Sequence, residues 1–157
     1  MKRNSRLGVA RSFLMLAALC FLSWPSLARA ASPAPMREIQ PAELVKLLAA
    51  KGKPPVVFQI GFRVLYVQAH IPGSRYLGPA SDASGLEQLR QEVQALPKDA
   101  PIVLYCGCCP WERCPNVRPA YEALQKLHFT NVRALYIAKN FGADWVAQGY
   151  PVERGPK

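Results

Sequence analysis

The stretch "PIVLYCGCCPWERCPNVRPAYEALQKL", residues 101–127, contains three successive local patterns from which we infer the fold. Its first six residues are a short apolar run behind a proline, which is typical of a strand buried on both faces. A loop with four cysteines follows, and Asn116 is then a favourable N-cap for a helical segment. Pro119 lies in the first turn, where its missing N–H removes no helical hydrogen bond. The stretch therefore predicts a strand, a cysteine-rich loop and a helix.

Apolar strands and helices alternate along the rest of the chain in the same manner. The pattern predicts further strands over 55–60 and 131–137, a brief strand over 75–78, a short helix or irregular turn over 62–69, and helices over 41–50, 84–96 and 141–149. Ser84 and Glu87 have the spacing of a capping box at the start of the middle helix. Buried strands that alternate with helices indicate a parallel sheet covered on both faces, so the predicted class is α/β.

The first 30 residues have the layout of a secretory signal peptide. Basic residues precede an apolar run over 13–24, and the chain has no acidic residue before Glu38. This run is too short for a membrane-spanning helix, which needs about 20 residues. Ala28 and Ala30 are small residues at the positions that a signal peptidase reads, so we expect cleavage after Ala30. The expected product is a periplasmic or secreted protein without a stable membrane span, and the alternative is a permanent N-terminal membrane anchor.

The predicted mature chain is long enough for one domain with a hydrophobic core. Removing 30 of the 157 residues leaves 127, which are too few for two domains. Residues 31–37 form a proline-rich linker after the predicted signal peptide over 1–30. We therefore expect a single domain over 38–155, and we expect it to be a monomer.

Most of the apparent basicity of the chain belongs to the predicted signal peptide. That segment carries five of the 20 basic residues and none of the ten acidic ones, so the mature chain has a net charge of about +5. Its basic residues are scattered, without a run and without interleaved aromatic residues, which argues against a nucleic-acid partner. A mildly positive field instead favours small anionic substrates.

The four cysteines that follow residue 30 all lie between Cys106 and Cys114. An oxidising compartment allows neighbouring thiols to form disulfides, but cross-links stabilise a fold most when they close long loops. The clustering therefore indicates chemistry or metal binding rather than a disulfide scaffold. In parallel sheets, sites gather at the carboxyl ends of the strands, and Cys106 has that position.

Six segments between residues 39 and 152, taken together, resemble the rhodanese superfamily of sulfurtransferases. They are "IQPAELVKLLA" (39–49), "VVFQI" (56–60), "AHIPGS" (69–74), "IVLYC" (102–106), "LQKLHFTNV" (124–132) and "ADWVAQGYPV" (143–152). The most specific pieces are "AHIPGS" and "GYPV", which stand on either side of a strand-end cysteine. The resemblance implies a rhodanese-like α/β domain with a central parallel sheet and helices on both faces. It also implies a sulfurtransferase that carries sulfane sulfur as a persulfide.

The chain departs from the family pattern at three places that concern the substrate rather than the fold. One is "AKNFGAD" (138–144), which replaces the family's small turn before the last helix. Gln59, Ile60 and Gly61 stand where the family usually has Asp-x-Arg after its first core strand. The segment between Cys106 and His128 is about five residues longer than the family pattern. The extra cysteines lie in this longer loop.

Cys106 is the expected nucleophile and persulfide carrier. A loop that curls over a helix N-terminus presents backbone N–H groups and the positive end of the helix dipole to the sulfur, which lowers the pKa of a thiol. Arg118, in the first turn of the predicted helix, is the expected clamp for an anionic donor, and Arg113 is an optional one. The expected partner is a small anionic sulfur donor or a thiol protein. This interpretation assigns no metal and no cofactor.

The other three cysteines leave alternatives open. Cys106 and Cys109 form a C-x-x-C pair, which is the spacing of redox-active cysteines in thiol-disulfide proteins. Cys108, Cys109 or Cys114 could instead resolve a Cys106 persulfide, or Cys109 and Cys114 could form a loop-closing disulfide. Thiolates are also ligands for zinc and Cu(I), which would make the protein a non-catalytic metal-binding or interaction module on the same fold.

Three further side chains of these motifs are predicted to be structural. The ring of His70 is expected to bond to the backbone within its turn. Trp111 is expected to pack the cysteine loop against the domain, and Trp145 is expected in the core.

Overall fold

The computed structural model describes residues 35–156, which belong to one compact unit. The predicted signal peptide over 1–30 and the beginning of the linker lie outside the described residues. Within the described part, no helix is long and apolar enough to cross a membrane.

A single sheet of five parallel strands forms the centre of the domain. Its strands are β1 (Glu38–Ile39), β2 (Val56–Gln59), β3 (Arg75–Tyr76), β4 (Ile102–Tyr105) and β5 (Val132–Leu135). They lie in the order β1-β5-β4-β2-β3, and all four neighbouring pairs are parallel. The predicted α/β class with a parallel sheet is confirmed.

Helices connect the strands at the positions that the sequence patterns indicate. They are α1 (Pro41–Ala49), α2 (Arg63–Gln68), α3 (Ala83–Val93) and α4 (Val117–Lys126). The cysteine loop contains a short 3₁₀ turn, Trp111–Arg113. The predicted last helix over 141–149 is only a π-helical turn, Gly142–Val146.

Strand β4 lies between β2 and β5 and contributes to the hydrophobic core on both faces of the sheet. Ile102 and Leu104 belong to an apolar cluster that includes residues of α3 and α4, whereas Val103 and Tyr105 belong to a second cluster that includes residues of α1. Side chains alternate between the two faces of a strand, so a strand buried on both faces needs an uninterrupted apolar run. Cys106, the next residue, belongs to the cluster of Leu104.

The short edge strand β1 was not predicted. It contains only two residues, of which Glu38 is paired with Ala134 and Ile39 with Leu135 on β5. Two residues are too few to show the alternation by which a strand is recognised. The pairing nevertheless places the start of the domain next to β5.

The segment of His70 connects α2 with the centre of the sheet. The His70 ring is fully buried, its Nδ1 lies 2.8 Å from the Tyr66 carbonyl oxygen, and it stacks on the Tyr66 ring with centroids 3.9 Å apart. The Ile71 N–H donates to the Tyr105 hydroxyl at 3.2 Å. Burial raises the pKa of Tyr105 above its usual range, so the phenol stays neutral. The predicted structural role of His70 is confirmed.

Helix α3 begins earlier than predicted, and the predicted capping box is wrong. Its N-cap position is Asp82, and Ser84 lies inside the first turn, where no side chain caps the helix. Gly85 is buried against the preceding chain: a Cβ at this position would lie 2.0 Å from the carbonyl oxygen of Pro79. The absence of a side chain at Gly85 therefore allows α3 to pack closely on the backbone before it.

We predict that Gly85→Ala lowers the free energy of unfolding by about 1–3 kcal/mol, because the new methyl group meets backbone atoms that cannot move aside cheaply. Urea denaturation measures this change. The matched control is Ser84→Ala on the exposed side of the same turn, which is expected to change stability by less than about 0.5 kcal/mol. A Gly85→Ala protein that is as stable as the unmodified protein would contradict this packing. A loss of about 1 kcal/mol in Ser84→Ala, as for a removed N-cap, would contradict the position of Ser84 inside the helix.

Candidate active-site loop

Cys106 follows directly after the central strand β4, at the carboxyl end of the sheet, and is only 2% exposed. Two glycines leave room for the chain around it. A Cβ at Gly61 would lie 2.8 Å from the Cys106 Sγ, and a Cβ at Gly107 would lie 2.6 Å from the Phe141 Cβ. Gly107 also has a φ of +74°, a conformation that L side chains rarely adopt. The loop can therefore turn sharply after Cys106 and remain close to the domain.

Asn116 connects the cysteine with the opposite wall of the site. Its Nδ2 donates to the Cys106 Sγ at 3.3 Å, and its Oδ1 accepts from the Ser81 N–H at 2.8 Å. Because Ser81 presents an N–H, the amide oxygen must face Ser81 and the amide nitrogen must face the sulfur. Asn116 has the predicted N-cap position of α4, but its side chain makes no capping hydrogen bond. The amide instead solvates the sulfur, a role that sequence reasoning missed.

Gln59 occupies part of the position where the family usually has Asp-x-Arg. The side chain is buried, its Nε2 donates to the Cys106 carbonyl oxygen at 3.3 Å, and its Oε1 accepts from the Gly61 N–H at 3.2 Å. These two bonds tie the start of the cysteine loop to the end of β2. The sequence showed this residue only as a departure from the family pattern.

The four cysteines of the described chain are free thiols and form a group of close sulfur atoms. The Cys106 Sγ lies 3.1 Å from the Cys108 Sγ, which in turn lies 3.2 Å from the Cys109 Sγ. The sulfur atoms of Cys106, Cys108 and Cys114 all lie within 4.8 Å of one another. Cys109 also contacts the carbonyl oxygen of Arg113 at 3.7 Å. The structure thus brings Cys108 into direct contact with Cys106, and three of the sulfur atoms could hold a soft metal ion.

The backbone N–H groups at the start of α4 lower the pKa of Cys114 rather than that of Cys106. A hydrogen bond from the Cys106 thiol lowers the pKa of Cys114 to about 6, and the backbone N–H groups of Asn116 and Val117 act in the same direction. The hydrogen bond with Cys114, followed by burial, raises the pKa of Cys106 above its usual range. The predicted lowering of the Cys106 pKa by the helix start is therefore wrong. Cys114 is therefore the thiol of this pair that ionises more readily.

The two predicted anion-binding arginines lie on the surface of the loop and of α4. The Arg118 side chain is 47% exposed, with its guanidinium 3.9 Å from a Glu122 carboxylate oxygen. Arg113 is exposed at the end of the 3₁₀ turn. Neither lines the small cavity beside Cys106, whose free space is too narrow for a water molecule. Their predicted role as anion clamps stays a prediction.

A larger cavity of about 430 Å³ opens on another side of the loop and reaches Cys108. Gly107 and Phe141 also line it, and Arg154 is the charged residue in its wall. The Arg154 guanidinium donates to the Gln68 carbonyl oxygen at 2.8 Å. This cation is far from the cysteine loop in sequence, and no motif pointed to it.

Trp111 packs the loop against the domain, as predicted. The Trp111 backbone N–H donates to the Ala138 carbonyl oxygen at 3.4 Å, and the centroids of the Trp111 and Tyr136 rings lie 5.3 Å apart. Trp145 is fully buried in the core, also as predicted. The loop is therefore attached to the domain near its middle as well as at Cys106.

Solved structures with a similar fold share little sequence with this chain. The Alr3790 protein from Anabaena sp. is 20% identical with a TM-score of 0.58, and the match covers 76% of this chain and 94% of that one. The BH2092 protein from Bacillus halodurans is 20% identical with a TM-score of 0.59, over 76% and 77%. RPA3614 from Rhodopseudomonas palustris, described as a protein of unknown function and possible tyrosine phosphatase, is 20% identical with a TM-score of 0.54, over 75% and 85%.

At this level of identity the similar structures establish the fold alone, and no curated protein matches the chain. The family model of the rhodanese-like domain matches residues 40–136, which is more than half of the chain. The match contains β2, β4, the whole cysteine loop and α4. On this match, together with the parallel sheet and the strand-end cysteine, the chain belongs to the rhodanese-like domain family.

Proposed function

We propose that this protein is an exported sulfurtransferase that carries sulfane sulfur as a persulfide on Cys106. The observation that carries the proposal is the position of the Cys106 sulfur, at the end of the central strand with the buried Asn116 amide donating to it at 3.3 Å. A buried amide donor costs free energy unless it is bonded, and here its acceptor is a sulfur atom. Export is inferred from the signal-peptide layout of residues 1–30.

The proposed reaction transfers one sulfur atom without net oxidation or reduction. The Cys106 thiol gives its proton to the Cys114 thiolate, to which it is hydrogen-bonded, and the Cys106 thiolate attacks the outer sulfur of a donor such as thiosulfate. The S–S bond of the donor breaks, and sulfite leaves with the bonding electron pair. An acceptor thiolate then attacks the outer sulfur of the persulfide, takes that sulfur and releases the Cys106 thiolate.

Asn116 has a defined part in this reaction. A hydrogen bond to a charged acceptor is stronger than one to a neutral acceptor. The Asn116 Nδ2 group therefore stabilises the Cys106 thiolate and the persulfide anion more than the neutral thiol. The Ser81 N–H holds the amide in this orientation before the reaction begins. Such a preorganised donor costs no reorganisation when the charge develops.

The small anionic donor is expected to approach from the larger cavity. Cys108 lines that cavity, and its sulfur lies 3.1 Å from the Cys106 Sγ, so a donor meets Cys108 before Cys106. Arg154 supplies a positive charge in the cavity wall. The Cys108 side chain must therefore move aside, or take part, when sulfur reaches Cys106.

The short distance between Cys106 and Cys108 also favours a thiol-disulfide function as the second candidate. Cys108 would attack the inner sulfur of a Cys106 persulfide, forming the Cys106–Cys108 disulfide and releasing hydrogen sulfide. A dithiol protein partner would then reduce the disulfide and become oxidised itself. In this arrangement Cys108, rather than Cys109 of the C-x-x-C spacing, is the resolving cysteine.

We predict that the reduced protein gains about 32 Da, the mass of one sulfur atom, when it is incubated with thiosulfate under anaerobic conditions. Intact-protein mass spectrometry measures the gain. Cys106→Ser is expected to lose the adduct because the carrier sulfur is gone, whereas Cys109→Ser is the matched control and keeps it. The absence of an adduct in the unmodified protein, or an undiminished adduct in Cys106→Ser, would contradict the proposal.

We further predict that Asn116→Asp slows persulfide formation by about tenfold or more, because a carboxylate replaces the donor that stabilises charge on sulfur. The new carboxylate can still accept from the Ser81 N–H, so the local fold is preserved. Asn131→Asp, the same change before β5 at the other end of the sheet, is the matched control and leaves the rate unchanged. Quenched-flow sampling with mass detection gives the rates, and equal rates in both variants would remove Asn116 from the reaction.

A further inference from the structure

We propose that Cys106, Cys108 and Cys114 together bind one Cu(I) ion as a three-coordinate thiolate site. This inference goes beyond the proposed sulfur transfer and does not depend on it. It rests on the mutual closeness of three sulfur atoms among the described residues and on the apolar surroundings of that group.

The three sulfur atoms already lie close to the positions that a single metal ion requires. All three lie within 4.8 Å of one another, and those of Cys106 and Cys108 are 3.1 Å apart. Metal–thiolate bonds of about 2.3 Å place three ligands in a plane about 4 Å apart. Side-chain rotations that move each sulfur atom by about one ångström or less therefore bring the three atoms into a trigonal arrangement.

The positions of the three ligands are determined by a strand, a helix and the short turn between them. Cys106 follows the central strand β4, and Cys114 lies two residues before the N-cap position of α4. Cys108 lies between them, next to the sharp turn at Gly107. Two ligands anchored by a strand and a helix, and a third on a short turn, give a site that exists before the ion binds.

Ligand number favours Cu(I) over zinc. Thiolates select both ions, but structural zinc sites almost always have four ligands, and catalytic ones complete the four with water. The Cys109 Sγ lies 3.2 Å from the Cys108 Sγ but not within 4.8 Å of all three ligands, so a four-sulfur zinc site would require this side chain to move. The cavity beside Cys106 does not admit a water molecule as a fourth ligand. His70 is directed to the Tyr66 carbonyl group instead. Within the described chain the site therefore offers three soft ligands.

The surroundings of the three sulfur atoms suit a buried anionic cluster. Cys106 is 2% exposed, and Trp111, Leu135 and Ile137 line the cavity beside it. The Asn116 amide donates to the Cys106 sulfur, and backbone N–H groups at the start of α4 bond to the Cys114 sulfur. These donors compensate the negative charge of the thiolates, while the apolar wall keeps out water. Binding replaces thiol protons by Cu(I) and transfers no electrons.

The test is an anaerobic titration of the reduced, full-length protein with Cu(I) in competition with a chromogenic Cu(I) chelator. We expect one ion per chain, and X-ray absorption spectroscopy of the loaded protein is expected to show three sulfur neighbours with no nitrogen or oxygen. Cys108→Ser and Cys114→Ser are each expected to lower the Cu(I) affinity by about 100-fold or more, as for a lost metal contact. Cys109→Ser is the matched control and is expected to keep the affinity.

Several results would overturn the site: no Cu(I) retained against the chelator, an equal loss in Cys109→Ser, or a first shell that contains oxygen or nitrogen. Zinc bound stoichiometrically in preference to Cu(I) would overturn it as well. The spectroscopic result needs no variant, so a Cys→Ser protein that fails to fold does not weaken the test. The titration uses no sulfur donor and the persulfide assay uses no metal, so either can fail while the other succeeds.

Discussion

The burial of β4 on both faces of the sheet is the constraint on which the rest of the domain depends. Its four residues alternate between two apolar clusters, and every one of them is buried. The strand therefore cannot shift by one residue without moving its side chains to the wrong faces. This fixed register determines where Cys106 emerges and directs its sulfur toward the start of α4. The chemistry of the loop follows from that direction.

The loop is held against the strand by contacts that are each modest but act together. Gln59 binds the Cys106 carbonyl group, Asn116 binds its sulfur, and Trp111 packs on Tyr136. Gly61 and Gly107 leave the space that these contacts need. The result is a group of four thiols in which Cys106 is the innermost and Cys108 lies between it and the larger cavity. Such a group suits both a sulfur carrier and a soft metal ion, because both uses require closely spaced thiolates.

Much of the sheet could be predicted from the sequence because buried parallel strands leave continuous apolar runs, as in residues 55–60 and 101–106. The position of Cys106 at a strand end followed from the same pattern. The two-residue strand β1 left no such signal, and the start of α3 was misplaced because Ser84 and Glu87 imitate a capping box. The contact of Gly85 with Pro79, which belongs to the packing there, is not visible in a local pattern.

The details of the site could be predicted least, because they depend on residues that are distant in sequence. Asn116 looked like a helix cap, and only the fold shows that Ser81 turns its amide toward the Cys106 sulfur. The lowered pKa of Cys114 likewise depends on its hydrogen bond from the Cys106 thiol and on the N–H groups at the start of α4, contacts that form only in the folded loop. Arg154 reaches the cavity from the end of the domain. Sequence spacing identified the group of cysteines but could not assign a role to each one.

The most direct test of the central assignment is to locate the transferred sulfur within the loop. After reaction with thiosulfate and alkylation, trypsin releases Cys106, Cys108 and Cys109 in the peptide 99–113, whereas Cys114 lies in the peptide 114–126. Tandem mass spectrometry of both peptides then identifies the modified residue. We expect the additional sulfur on Cys106. Its presence on Cys114, or on Cys108 or Cys109 without any on Cys106, would contradict the assignment of Cys106 as the carrier.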